Sequence, residues 1–302
     1  AHTDEFQSRL FEEMKSRIKE DDSSVPYFKK GYYYYTRYEE GGQYAIYCRR
    51  KGSMEAPEEI IVDGNKLGEG QSFLNFYISV SPNQNLVAIV KDTVGRNFYT
   101  ISVKDMTTGE LLPDEIKDTR GGLAWMNDNQ SFYYVIPDKK TLREYQVYHH
   151  VLGSADGDPL IYEEKDETLN VWVSKSRSEG FIFLHSSRTD ASFGQFMSAD
   201  ILEKPRLIAP LQPNVKYYAD HARGNELHIY TNLDAVNYRL VKTRIDQTTF
   251  VNWEDVIPHR EDVFLEEVAF FKDFLVLQEK EKGLAKLIVK KWDNNDTQEI
   301  RF

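Results

Sequence analysis

The sequence predicts an all-β protein, a β-propeller of about six blades preceded by one N-terminal α-helix. Short segments rich in aromatic and β-branched residues follow one another from residue 26 to the end of the 302-residue chain, and turn signals separate them. Aromatic residues make up 13% of the composition, which favours strands. A polar turn followed by a strongly apolar strand recurs about every 48 residues, the period expected of propeller blades.

The recurring strand sets the number of blades. It begins near Tyr32, Leu86, Ser131, Phe181, Leu227 and Phe274, at spacings of 54, 45, 50, 46 and 47 residues. Each interval has room for further, shorter strands, so about four strands form one unit and six units fit between residues 25 and 302. A β-helix has much shorter repeats, and a string of sandwich domains needs a period of about 100 residues.

One amphipathic helix is predicted over residues 4–20. Its apolar positions are Phe6, Leu10, Met14 and Ile18, with Phe11 beside them. We divide the chain into an N-terminal helical segment, 1–24, and a propeller, 25–302. No second helix is expected after residue 26.

Composition excludes several classes of protein. The net charge of −11 argues against nucleic-acid binding and would attract cationic ligands such as basic peptides. No apolar run approaches the roughly 20 residues that span a bilayer, so no membrane contact is expected. The single cysteine, Cys48, suits the cytoplasm, with the periplasm as the alternative, and we expect a buried, inert thiol.

Motifs for catalysis, metals and cofactors are absent from the sequence. The G-x-S-x-G elbow of serine hydrolases does not occur, and residues 153–157 (GSADG) have the wrong order. His149 and His150 are adjacent on a predicted strand, so they point to opposite faces and cannot share one metal. We therefore expect no catalytic residue, no metal and no cofactor in this chain.

Three longer stretches carry a resemblance to a known family. They are SVSPNQNLVAIVKDTVGRNFYTISVKDMTTGELL (79–112), WMNDNQSFYYVIPDKKTLREYQVYHHVLG (125–153) and DPLIYEEKDETLNVWVSKSRSEGFIFLHSS (158–187). Their order and spacing resemble the propeller of the prolyl oligopeptidase family of S9 serine peptidases, most of all its oligopeptidase B members. WD40 and kelch blade motifs do not recur.

The resemblance implies a seven-bladed type of propeller, of which this chain would hold blades one to six. In the family the propeller sits over an α/β-hydrolase domain that follows it and carries a Ser-Asp-His triad. That domain is absent from this sequence. The propeller admits short peptides and excludes folded proteins, and oligopeptidase B-like members cut after Arg or Lys. The implied role is a non-catalytic, substrate-gating portion of a serine oligopeptidase, whose partners are short peptides and its own hydrolase domain.

Four candidate residues at two corners of the propeller follow from the resemblance. Arg96 and Asn97 lie after a glycine turn, where family members often have two arginines facing the hydrolase domain. Arg120 and Gly121 open the third blade at the matching corner, near the substrate in related enzymes. The alternatives to these functional roles are an ordinary exposed arginine at the first corner and an ordinary glycine turn at the second.

The acidic run EEKDE (163–167) raises the question of a metal or acid/base site. No histidine, cysteine or phosphate-binding loop accompanies it, so we interpret it as the connection between the third and fourth blades. Two other functions remain open: a stand-alone propeller that binds proteins or peptides, and a glycan-processing propeller with central carboxylates. Uncovered faces of blades one and six would favour self-association or disorder there.

Overall fold

Six four-stranded antiparallel sheets make up the structure, a computed structural model that describes residues 3–120, 122–293 and 296–301. In each sheet the four strands pair in chain order. This repeated meander confirms the predicted all-β propeller with six blades. The seventh blade implied by the resemblance stays a prediction.

Most strands are short, and in several blades the second and third strands are longer than the first and fourth. Blades one to three contain β1 Tyr27–Lys29, β2 Tyr32–Arg37, β3 Ile46–Lys51, β4 Glu58–Asp63, β5 Asn75–Val80, β6 Leu86–Asp92, β7 Tyr99–Asp105, β8 Leu111–Thr119, β9 Leu123–Trp125, β10 Ser131–Pro137, β11 Glu144–Val151 and β12 Leu160–Glu163. Blades four to six contain β13 Asn170–Lys175, β14 Phe181–Ser187, β15 Ser192–Ser198, β16 Arg206–Leu207, β17 Tyr217–Asp220, β18 Glu226–Thr231, β19 Arg239–Arg244, β20 Glu254–Ile257, β21 Val263–Phe270, β22 Phe274–Glu281, β23 Leu284–Lys291 and β24 Thr297–Ile300.

The recurring apolar strand of the sequence is the second strand of each blade. In β6, Val87 and Ile89 pack with blade one, whereas Ala88 and Val90 pack with blade three. Successive side chains of a strand point to opposite faces, and here both faces are covered by a neighbouring blade. The sequence of such a second strand is therefore a continuous run of apolar residues.

The core lies between the blades. Apolar clusters fill the five spaces from blade one to blade six, for example around Phe132 between blades two and three and around Tyr217 between blades four and five. Within the described residues no such cluster joins blade six to blade one. Each blade is thus held mainly by the blades next to it in the chain.

The two ends of the ring differ in what they carry. The turns between first and second strands meet at one end, the hairpin end, where the Asn83 backbone N–H donates to Asn129 Oδ1 (2.7 Å) and the Ser178 N–H donates to the His221 carbonyl (2.9 Å). Strands alternate in direction, so the turns between second and third strands and the blade-to-blade connections lie at the opposite end, the connection end. The start of β1 and the end of β24 also lie at the connection end.

Helix α1 spans Asp4–Ser16, four residues shorter at its C-terminal end than predicted. None of its residues is buried, and its apolar stripe is exposed. The segment that follows already belongs to blade one, because the Ser24 backbone N–H donates to the Thr36 carbonyl (2.8 Å). Among the described residues, no helix has the length and apolar character needed to cross a membrane.

The expectation of no helix after residue 26 is wrong. A short helix, α2, spans Gly64–Leu67, and a 3₁₀ turn spans Phe250–Asn252. The Asp63 side chain caps α2 by accepting hydrogen bonds from the backbone N–H groups of Asn65 (3.0 Å) and Lys66 (3.3 Å). Four residues are too few to show a helical period, so no sequence pattern predicts this element.

Candidate functional site

The first candidate corner is the loop between β6 and β7 at the connection end. Buried Asp92 organises this loop, because its carboxylate accepts hydrogen bonds from the backbone N–H groups of Val94 (2.8 Å), Gly95 (2.9 Å) and Asn97 (2.8 Å). Gly95 and Asn97 adopt left-handed conformations, with φ of 78° and 58°. The Asp92 carboxylate thus fixes the loop backbone, and Arg96 is exposed at the tip of the loop.

The second corner meets the first through Arg120. Its Nε donates to Glu144 Oε1 (2.7 Å), and its Nη1 donates to the backbone carbonyl of Asn97 (3.2 Å). Asn97 and Arg120 therefore belong to one contact network that joins blades two and three. Arg96 makes no ion pair within the described part of the chain, and Gly121 lies outside the described residues.

An open cleft of about 630 Å³ adjoins Arg120 at the connection end. Residues from blade three, its two flanking connections and the start of β13 line it: Arg120, Asp138, Thr141, Leu142, Arg143, Glu144, Glu167 and Asn170. Three carboxylates and two guanidinium groups share this cleft. Its charge balance therefore favours a cationic ligand slightly over an anionic one.

Arg143 fixes the far wall of the cleft. Its Nη1 donates to the backbone carbonyls of Glu164 (3.3 Å), Asp166 (3.2 Å) and Leu169 (3.0 Å). These carbonyls belong to the connection between β12 and β13, so one side chain ties this connection to blade three. The interpretation of this segment as the connection between the third and fourth blades is confirmed.

The carboxylates of the cleft differ in their surroundings. Backbone N–H groups of Thr141 and Lys140 hold the pKa of Asp138 below its ordinary value. Glu144 is paired with Arg120. Glu167 is exposed and forms no ion pair among the described residues, so its charge is available to a ligand. Sequence reasoning missed Arg143, Glu144 and the cleft-lining position of Glu167, because no local motif marks them.

Other titratable groups are buried in structural positions. Cys48 is buried, as expected, and burial raises the pKa of its thiol to about 11, which disfavours the reactive thiolate. His149 packs on Tyr133 and His150 on Phe132, on opposite faces of β11 as predicted. Within residues 3–120, 122–293 and 296–301, no cluster of His, Cys, Asp and Glu side chains could hold a metal ion.

His150 has a role that the sequence did not reveal. Its Nδ1 lies 2.9 Å from Asp158 Oδ1, and its Nε2 lies 3.1 Å from Asp114 Oδ1. Asp114 comes from β8, so the ring links blade two to blade three. Asp158 is 8 residues from His150 in sequence and Asp114 is 36 residues from it, and no short motif joins them.

Meander sheets around a central axis, with interblade clusters as their core and a loop-built cleft at one end, define a β-propeller domain. The family model described as "Prolyl oligopeptidase, N-terminal beta-propeller domain" matches residues 1–301. The chain belongs to this family, the propeller domain of S9 serine peptidases, as the sequence resemblance predicted.

Relatives and solved structures agree with this assignment. The chain is 36% identical over 308 residues to dipeptidyl aminopeptidase BI of Pseudoxanthomonas mexicana, covering 96% of this chain and 42% of that protein. It is 30% identical to protease 2 of Moraxella lacunata, covering 93% of this chain and 42% of that protein. Oligopeptidase B from Leishmania major superposes with a TM-score of 0.92 at 28% identity, covering 99% of this chain and 44% of that structure. The chain thus spans about two fifths of the length of these relatives.

Proposed function

We propose that this chain is the substrate-gating propeller of a serine oligopeptidase that cleaves short peptides, with the catalytic triad on an α/β-hydrolase domain elsewhere in the protein. The family match over residues 1–301 carries the proposal. The absence of a G-x-S-x-G motif from the sequence supports a triad outside it.

The hydrolase domain is proposed to lie against the connection end. Both the start of β1 and the end of β24 lie there, so a domain joined to either one is nearest to that end. The Arg96 loop and the Arg120 network are at the same end. Arg96, Asn97 and Arg120 are therefore proposed to contact the hydrolase domain or the substrate near it, and Gly121 stays a sequence-based candidate.

Peptides with Arg or Lys at the cleavage site are the proposed substrates. The net charge of −11 and the exposed carboxylate of Glu167 in the cleft favour approach of basic peptides. The name of the relative from Pseudoxanthomonas mexicana supports a second candidate, the release of dipeptides from peptide N-termini.

One experiment separates these activities. The product of the complete gene and this 302-residue chain are assayed on fluorogenic peptides ending in Arg, Lys or Pro, each with a free and a blocked N-terminus. We expect the complete product to cleave blocked Arg and Lys peptides and this chain to cleave none. Cleavage only of peptides with a free N-terminus would favour the dipeptidyl activity.

A stand-alone binding scaffold predicts a different outcome. In that case the complete gene encodes no hydrolase domain and its product cleaves none of these peptides. Cleavage by this chain alone would contradict the proposed location of the triad. A series of peptides of increasing length then tests steric gating in the complete product.

A further inference from the structure

The turn between β13 and β14, residues 176–180, lies at the hairpin end of the ring. Glu179 in this turn forms ion pairs with two lysines of blade one, Lys30 and Lys29, the second at 3.8 Å. Two blades separate blade four from blade one along the chain, so this contact reaches across the axis of the ring instead of joining neighbours. Lys30 also donates to the Pro82 carbonyl of blade two (3.0 Å).

The same turn contacts three further blades. The backbone carbonyl of Glu179 accepts a hydrogen bond from Asn127 Nδ2 of blade three (3.0 Å). His221 of blade five bonds to Ser178 Oγ through its Nδ1 (2.6 Å). The Arg177 guanidinium lies over the ring of Phe271 in blade six, 4.7 Å from its centroid. One five-residue turn therefore touches every blade except blade two, which Lys30 reaches.

Both partners of the blade-one contact are held by their own turns. Lys30 and Gly31 have φ of 49° and 85°, the signature of a two-residue type I′ hairpin that fixes where the lysine side chain begins. Ser176 Oγ accepts a hydrogen bond from the Phe181 N–H (3.0 Å), which closes the turn carrying Glu179. The ion pair thus connects two preorganised turns.

We propose that Glu179 and Lys30 form a latch that closes the hairpin end of the tunnel, so that peptides reach the tunnel only from the connection end. Glu179 is then a residue that determines the permitted substrate size. The statement about substrates rests on the proposed function; the statement about closure does not. The contact is partly exposed, with side-chain accessibilities of 34% for Lys30 and 26% for Glu179, so high salt weakens it.

Hydrogen exchange on this chain tests closure directly. Glu179→Gln removes the charge that holds both lysines, and the exchange of amides in the Lys30 hairpin and in the turn 176–180 is followed by mass spectrometry. We expect exchange in both segments to accelerate about two- to fivefold, as for loss of one partly exposed ion pair. The double variant Lys30→Met, Glu179→Gln also loses the bond from Lys30 to the Pro82 carbonyl, so its Lys30 hairpin should exchange at least as fast as in Glu179→Gln.

Glu281→Gln is the matched control. Glu281 forms a similarly exposed ion pair with Lys286, but within a single hairpin of blade six. Its loss should leave exchange in the Lys30 hairpin unchanged. Unchanged exchange of that hairpin in Glu179→Gln, or equal acceleration in the control, would overturn the latch.

The complete gene product tests the effect on substrates. We expect Glu179→Gln to raise kcat/KM for peptides of about 40 residues at least threefold relative to a short peptide, and Glu281→Gln to leave this ratio unchanged. An unchanged ratio with accelerated exchange would overturn the role in size selection and leave the closure intact. If the complete product cleaves no peptide, the proposed function fails, and the exchange result alone decides the latch.

Discussion

At the scale of single residues, buried histidines are the clearest link between this fold and solution conditions. Burial lowers the pKa of His185 and of His228 to about 4, and neither side chain is more than 8% exposed. His185 stacks on Trp172, with ring centroids 4.9 Å apart, and its Nε2 lies 2.8 Å from Ser174 Oγ. These rings stay neutral in the folded chain at pH values where the unfolded chain binds protons.

We predict that the free energy of unfolding falls as the pH is lowered from 6.5 towards 4. The folded pKa of His185 lies below the unfolded value of 6.5, so its contribution is complete above pH 6.5 and is lost on acidification. The loss at pH 5 is about 2 kcal/mol for each such histidine. Urea unfolding at pH 7.5, 6.0 and 5.0 measures it. His185→Phe should flatten the dependence, and an unchanged slope would count against this assignment.

Arg120 offers a second test at this scale. Arg120→Met removes the ion pair with Glu144 and the bond to the Asn97 carbonyl, so we expect a loss of about 1 kcal/mol in the free energy of unfolding. Arg96→Met is the control and should change it by less than about 0.5 kcal/mol. Equal effects in urea unfolding would show that the Arg120 network does not stabilise the corner.

At the scale of elements, burial decides which strands a sequence reveals. The second strands, β2, β6, β10, β14, β18 and β22, pack against a neighbouring blade on at least one face and were all predicted. The third strands were predicted too, except β15. The fourth strands were not, because segments such as β24 (Thr297–Ile300) are short and exposed at the rim. The first strands were also missed, except β13; β1 and β9 have only three residues each.

The candidate site was predictable only in part. The resemblance pointed to Arg96, Asn97 and Arg120, and the structure places Asn97 and Arg120 in contact. The resemblance did not indicate Glu144 or Arg143, because the partners of these two residues are 21 to 26 residues away and belong to other elements. Side-chain networks between blades depend on the stacking of blades, which no local pattern encodes.

The loop 93–98 gives the prediction at this scale. Asp92→Ala leaves three backbone N–H groups without their acceptor, so we expect a loss of about 1–3 kcal/mol in the free energy of unfolding and faster hydrogen exchange in the loop. Asp105→Ala is the control, because Asp105 binds two N–H groups in a more exposed turn. A larger cost at Asp105 would contradict the organising role of Asp92.

At the scale of the whole molecule, apolar surface that no other part of the described chain covers bears on self-association. No described apolar cluster joins blade six to blade one, and the apolar stripe of α1 is exposed, including Phe11 at 62% and Met14 at 60%. Exposed apolar surface of this kind favours association in water. Self-association of this chain, expected from the sequence, stays a prediction.

We predict that this chain forms dimers or larger species as its concentration rises and that α1 contributes. Sedimentation velocity from about 1 to 100 μM measures this, a range in which weak interfaces assemble. The double variant Phe11→Ser, Met14→Ser should shift the equilibrium towards monomer. Val236→Ser, at a position 80% exposed in a loop of blade five, should not. A monomer at all concentrations would refute the expectation.

The placement of β1 and β24 has a practical consequence. The chain leaves blade six at the connection end, so a linker attached after Ile300 anchors the molecule there. On a sensor surface, molecules tethered in this way all face the same direction and present Lys30 and Glu179 to the flowing solution. Immobilisation through a linker at the end of β24 would therefore orient the hairpin end outward.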